Sequence, residues 1–225
     1  MVEYVIDYLT LAEPHRFIFV CLEDHHRAFD FHRLFRAKTN SYELVLSKNT
    51  TRGPAATALL AKDFIDNRSE LIIAYCDCFF TIDPASFLRH GRARHAHGAL
   101  ITYPSNSATD GYAEIDGDGR VLRTAEKDII SSTAAAGLYY FREGRDFVSA
   151  TRHMISQQLN ESDELFVCPV YNELIRQGKP VVSFPIDRDQ RIEMGTPEDL
   201  AKSRHRLMNQ RSQSPIVSAE SCCRR

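Results

Sequence analysis

The chain's strongest constraint is a series of short runs that are apolar without interruption. FIFVC (17–21), LIIAY (71–75), ALITY (99–103), GLYYF (137–141) and VVSFPI (181–186) are rich in β-branched and aromatic residues. None is long enough to cross a bilayer. A strand with no polar alternation is covered on both faces, so each run predicts a strand inside a sheet with helices on either side. YELVLS (42–47) reads as a further strand. Helical stretches are predicted at 2–9, where Val2, Val5, Ile6 and Leu9 share a face, and at 54–65, 146–159 and 169–177. This alternation predicts an α/β fold with a mixed, mainly parallel sheet flanked by helices.

Local signals set the boundaries. Pro54 suits a first helical turn, Asp83 caps a short helix opening at Pro84, and Gly178 ends the stretch before it. Thr196-Pro197-Glu198-Asp199 opens a last helix, with acids set against its dipole. From Tyr112 the pattern changes to a β-hairpin, YAEID and RVLRTAE joined by the turn Gly117-Asp118-Gly119. The 225 residues suit one domain, expected over 1–208, with the polar stretch 209–225 as a disordered tail.

Composition narrows the partners. A net charge of −2 argues against nucleic acid or an anionic membrane surface, so a phosphate would be met by a few placed residues. Glu3, Asp7, Glu13 and Arg16 interrupt any signal-like stretch at the start. Of Cys21, Cys76, Cys78, Cys168, Cys222 and Cys223, three sit in or beside apolar runs as buried thiols do and Cys222-Cys223 are read as inert; with no secretory signal visible, a reducing, cytoplasmic compartment is expected.

Four constellations could carry chemistry. Asp77 follows an apolar strand, where ligands of open α/β sheets bind, and Glu193 precedes a glycine and a capped helix. Two carboxylates at strand ends could share one Mg²⁺; singly, each reads equally well as a solvated acid. Arg52-Gly53-Pro54-Ala55 lets a planar or phosphorylated ligand approach the backbone, although a tight loop-to-helix junction needs the same residues. In Glu126-Lys127 the lysine could pair with a phosphate and the glutamate accept sugar hydroxyls; such a pair is more often simply solvated. His90, His95 and His97, with Cys76 and Cys78 upstream, match no usual structural-zinc spacing.

Taken in order, GPAATALLAKDFID, LIIAYCD, GALITYPSN, YAEIDGDGRVLRTAEK, AAAGLYYF, FVCPVYNELIRQGKPV and GTPEDL resemble the NTP-transferase family of sugar-phosphate nucleotidyltransferases, over about residues 1–207. The resemblance implies a GT-A-like, Rossmann-related fold. It implies transfer of an NMP from an NTP to a sugar phosphate or related phosphorylated acceptor, with release of pyrophosphate, for surface polysaccharides. It further implies Asp77 and Glu193 as Mg²⁺ ligands, and Gly53 and Ala55 near the nucleotide base. Tyr112, Glu126 and Gly137 would lie around the acceptor, with Lys127 in the catalytic role. Homo-oligomers are common in the family.

Three departures shape the expectations. Tyr75 and Cys76 stand where such proteins usually have asparagine or serine beside the metal aspartate, and Glu193 stands where aspartate is common. The family's first strand and Gly-rich phosphate-binding loop have no counterpart, so FIFVC and LIIAY should lack a partner that they normally flank. Met1 is accordingly expected to be an internal residue of a longer protein, and coding sequence upstream carrying a G-x-G-R-like motif is the check. The alternative reading is a catalytically inactive relative that binds a sugar phosphate, a nucleotide or a partner subunit.

Overall fold

In the computed structural model, residues 1–157 and 164–211 are described. In chain order the elements are α1 (Val2–Leu9), β1 (Phe17–Leu22), α2 (Glu23–Phe29), α3 (Phe31–Arg36), β2 (Tyr42–Ser47), α4 (Pro54–Leu59), α5 (Lys62–Ile65), β3 (Leu71–Ala74) and β4 (Cys78–Phe80). There follow α6 (Pro84–Ala93), β5 (Gly98–Pro104), β6 (Gly111–Ile115), β7 (Val121–Glu126), β8 (Thr133–Phe141), α7 (Gly144–Ser156), α8 (Tyr171–Arg176), β9 (Val181–Pro185), β10 (Arg191–Glu193) and α9 (Pro197–Arg211).

The main sheet has the order β7-β6-β8-β5-β9, with β3 also on β8. The expected mixed sheet flanked by helices is present, but the balance of strand directions differs from the expectation of mainly parallel. Only β5–β9 and β1–β2 run parallel among the described pairings. The physical reason is the β6–β7 hairpin and the long β8, which returns antiparallel against β3, β5 and β6. β1 and β2 form a separate two-stranded sheet, and β4 pairs antiparallel with β10 in another.

The central strands are buried on both faces, as their unbroken apolar sequence predicts. Leu100, Tyr139 and Phe141 pack toward α7 and α8 with Phe147, Tyr171 and Leu174. Their neighbours Ile101 and Tyr140 pack on the opposite face with Phe87 of α6. By contrast, every residue of β1 and β3 is only partly buried, despite an equally apolar sequence.

Some boundaries move. The helix expected over 54–65 divides into α4 and α5, because Leu60 N–H and Ala61 N–H donate to Thr57 O and Ala58 O, tightening the chain into i→i+3 bonds. α9 runs through Arg211, past the expected end of the domain at 208; residues 212–225 of the expected tail lie outside the described residues, as do 158–159 of the helix expected at 146–159. Asp83 caps α6 as expected, accepting from Ala85 N–H at 3.0 Å.

Tyr171, at the start of α8, ties these layers together. Its ring stacks on Phe141 at 4.8 Å, and its fully buried hydroxyl lies 2.8 Å from Ala99 O and 2.9 Å from Tyr140 O. Removing that hydroxyl leaves buried carbonyls with one donor fewer. Tyr171→Phe is therefore expected to lower unfolding stability by about 1–2 kcal/mol, read by chemical denaturation with an unchanged slope.

Candidate functional site

The site is built where β8 changes neighbours. On one edge β8 pairs with β5 almost throughout; on the other it pairs first with β6, at Ala134 and Ala135, and then with β3, at Leu138 to Phe141. Gly137 stands between the two, with φ +83°. A Cβ there would lie 3.1 Å from Cys78 Sγ and 3.2 Å from the Tyr75 ring, so both the backbone angle and the space call for glycine. The end of β3 and the start of β6 therefore converge beside Gly137.

Glu126, at the end of β7, points into this junction. It faces Gly111 across the ladder, where an added Cβ would come within 2.5 Å of Glu126 Oε2. That oxygen is buried and has no hydrogen-bond partner among the described residues. Burial pushes the Glu126 carboxyl up to about 7; Lys127 opposes the rise, while Asp110 and Glu164 add to it. Lys127 follows with φ +57°, donates its N–H to Asp110 O at 3.0 Å, and places Nζ 3.2 Å from Glu164 Oε2 and 4.6 Å from the Phe166 ring centre. Glu126, Lys127 and Gly137 are thus brought to one region.

The other expected residues are placed differently. Tyr112 is fully buried, with its hydroxyl donated to Ser107 O at 2.8 Å, so its side chain supports the junction from within the core. Ala55 is also fully buried, and its N–H is taken by Leu165 O at 2.8 Å. Gly53, at φ +110°, is pressed against the same segment: a Cβ would lie 2.8 Å from both N and O of Leu165. The close approach that calls for glycine here is made by the protein's own backbone. Gly53 nevertheless lines a cleft of about 1370 Å³, shared with β1, β3, Tyr75, Asp77 and Glu164.

Asp77 and Glu193 are neighbours through the β4–β10 ribbon. Glu193 opposes Cys78, and Met194 N–H donates to Asp77 O at 2.7 Å. Their side chains enter different cavities. Asp77 faces the large cleft and makes no side-chain hydrogen bond or ion pair among the described residues. Glu193 lines a separate cavity of about 170 Å³ and is ion-paired with Arg191. Both charges reach the buried Cys78 thiol, which is pushed up to about 12, chiefly by burial. No group of three or more His, Cys, Asp or Glu side chains gathers into a metal-holding cluster among the described residues. The histidines of the 90–97 stretch go elsewhere: His90 Nε2 lies 3.0 Å from Ser183 O, and His97 Nδ1 lies 2.9 Å from Asp146 Oδ2.

Sequence reasoning missed Asp110 and Arg191. Asp110 Oδ2 accepts from Tyr103 Oη at 2.8 Å and Ser105 Oγ at 2.6 Å, and Arg191 Nη1 donates to the same tyrosine oxygen at 2.6 Å. Arg191 is two residues before Glu193, hence on the same face of a strand, and that spacing was the available signal. Asp110 carries no such signal.

A family model described as nucleotidyl transferase matches residues 1–210. The chain is similar to the crystal structure of a nucleoside-diphosphate-sugar pyrophosphorylase from Vibrio cholerae RC9, with 25% identity and a TM-score of 0.74, covering 89% of this chain and 84% of that one. It also shares its fold with the inositol-1-phosphate CTP transferase from T. maritima, at 14% identity and a TM-score of 0.72, covering 95% and 83%. No curated protein sequence matches the chain.

The raised Glu126 pKa makes stability depend on pH. Its folded value near 7 lies above the unfolded one, so between about pH 4.5 and 7 the folded state holds a proton that the unfolded state has lost. Stability should fall as pH rises through that window and level off above it. Glu126→Gln is expected to abolish this slope and, above pH 7, to be more stable than the parent by about 1–3 kcal/mol. Parallel denaturation curves at pH 5 and pH 8 check it; equal slopes in both proteins would refute the assignment.

Proposed function

Because the chain belongs to the nucleotidyl transferase family, we propose that it transfers an NMP from an NTP to a sugar phosphate or related phosphorylated acceptor and releases pyrophosphate. The observation that carries the reading is the family match over residues 1–210, nearly the whole described chain. The likeness to a nucleoside-diphosphate-sugar pyrophosphorylase supports a nucleotide and a phosphorylated sugar as the substrate class. A role in making surface polysaccharide belongs to the same proposal. No helix among the described residues is long and apolar enough to cross a membrane.

In this reading the cleft takes the nucleotide and the Gly137 junction takes the acceptor. Lys127 offers an ammonium to the acceptor phosphate, held over Phe166 until the phosphate replaces Glu164 as its partner. Glu126, titrating near neutrality in a buried pocket, offers either a carboxylate or a carboxylic acid to a sugar hydroxyl. Gly53 and Ala55 are assigned a framing role at the base end, through the backbone that packs on residues 164–165, and Tyr112 and Gly137 one behind the acceptor. The reaction is mainly positioning and charge neutralisation, so these contacts are its natural means.

Nucleotidyltransferases of this kind generally use a divalent metal, which when bound neutralises charge on the triphosphate. Asp77 is the acid placed to meet it. In this reading Glu193, its neighbour across the β4–β10 ribbon, would be the second acid in place of its present ion pair with Arg191.

The second reading is a family relative that binds without turnover. The observation favouring it is that Lys127 and Glu193 are each already neutralised within the chain. Incubating the chain with Mg²⁺, each NTP in turn and a panel of sugar 1-phosphates separates the two. The transferase reading expects pyrophosphate release, and Lys127→Ala should reduce that rate by about 10²–10³ with the fold retained. Ligand binding with no pyrophosphate in any combination would establish the binding protein instead.

A further inference from the structure

Arg191 stands two residues before Glu193 on β10, and the two side chains are ion-paired. The partners are unequally held. The Arg191 side chain is 18% exposed and that of Glu193 45%, so the acid is the member free to turn. One nitrogen carries the contact: Nη1 meets Glu193 and also donates to Tyr103 Oη at 2.6 Å. Nε is buried and has no hydrogen-bond partner among the described residues. The ion pair therefore coexists with an unmet buried donor, an unfavourable arrangement for a guanidinium.

A second set of partners holds the same guanidinium. Its carbon lies 5.0 Å from the centre of the Tyr103 ring, within cation–π range. The Tyr103 hydroxyl accepts from Arg191 and donates to Asp110 Oδ2 at 2.8 Å, so guanidinium, phenol and carboxylate form one chain. Ser105 Oγ donates to the same Asp110 oxygen at 2.6 Å and steadies it. Taking one acid from a buried cation is ordinarily costly, because the charge is left unpaired. Here the loss of Glu193 leaves Asp110 in place through Tyr103. The Asp110 carbonyl also accepts from Lys127 N–H at 3.0 Å, so the chain ends on the acceptor side of the Gly137 junction.

We propose that Arg191 is a positioning residue that sets how readily Glu193 becomes a metal ligand, by competing with the divalent cation for its carboxylate. The inference rests on the reading of Asp77 and Glu193 as the acids that meet the cation. Without metal, the guanidinium stands in for that cation and neutralises one of two neighbouring acids. Once Glu193 is given up, Tyr103 and Asp110 retain the guanidinium, and this second hold lowers the cost of the exchange. Arg191 and Tyr103 therefore act in opposite directions: the arginine opposes metal binding and the tyrosine favours it. Contacts that merely support the fold would weaken binding on removal of either side chain. A bare field effect of the guanidinium would leave the Tyr103 hydroxyl without influence.

The experiment titrates the full chain with Mn²⁺ alone and follows the free ion by electron paramagnetic resonance. Asp77→Asn is expected to weaken binding, which marks the site. Arg191→Met should tighten it about ten-fold, since Glu193 is then uncontested. Tyr103→Phe, which removes only a hydroxyl, should weaken it several-fold. The double variant should match Arg191→Met, because without the guanidinium the tyrosine has nothing to hold. Unchanged or tighter binding in Tyr103→Phe, or unchanged or weaker binding in Arg191→Met, overturns the proposal and leaves the metal reading intact. No Mn²⁺ binding by the parent, or equal binding by the parent and Asp77→Asn, removes the metal reading and this inference with it.

Discussion

The structure depends on one long strand having two different neighbours along a single edge. β8 is held by β5 on one side, and on the other passes from β6 to β3 at Gly137. That change needs a residue at positive φ with no Cβ, since Cys78 and Tyr75 occupy the space beside it. With it, β3 and the β6–β7 hairpin approach one point from opposite directions. The carboxylate of Glu126, the Lys127 backbone and the turn carrying Asp77 all meet there. The site is thus a consequence of how a mixed sheet changes partner.

The same arrangement accounts for the contrast between the two halves. Around β5 and β8 both faces are covered and both edges are paired, so Leu100, Ile101, Tyr139 and Tyr140 reach full or nearly full burial. β1 and β3 have comparable sequences, but each has one edge with no ladder partner among the described residues, and none of their residues is fully buried. The difference lies in that unpaired edge rather than in side-chain chemistry. Arg92, shared by Glu13 and Glu70, ties together the segments that lead into the two strands; being partly exposed, this clasp orients them more than it stabilises them.

Much of the fold was legible because its signals are local. Unbroken apolar runs marked the strands, Asp83-Pro84 marked a cap, and the Gly117–Gly119 turn marked the hairpin. β4 was not legible, since a three-residue strand carries no period to detect, and β10 was read only as a strand end at Glu193. The stretch 23–36 was missed for another reason: α2 and α3 bury little beyond Phe35 and so lack an apolar stripe. At the site, Glu126, Lys127 and Gly137 lie in one region. Gly53, Ala55 and Tyr112 show the limit of the motifs: a glycine or alanine required by close approach looks the same whether a ligand or the protein's own segment at 164–165 approaches. Strand directions lay further out of reach, because parallel and antiparallel pairing depend on connections rather than on composition.

The acids of the site show what a ligand must bring. Glu126, Glu164, Asp77, Asp110 and Glu193 cluster around the Gly137 junction and the neighbouring ribbon, and their mutual repulsion is relieved in a different way at each. Burial keeps Glu126 near the protonated form, Glu164 has the Lys127 ammonium, Glu193 has Arg191, and Asp110 accepts from two hydroxyls. Asp77 is left facing the large cleft with no such relief among the described residues. In the proposed reading a triphosphate entering alone would be repelled by that charge, and one entering with a counter-cation would not. On that reading the carboxylate favours a phosphate that carries positive charge with it.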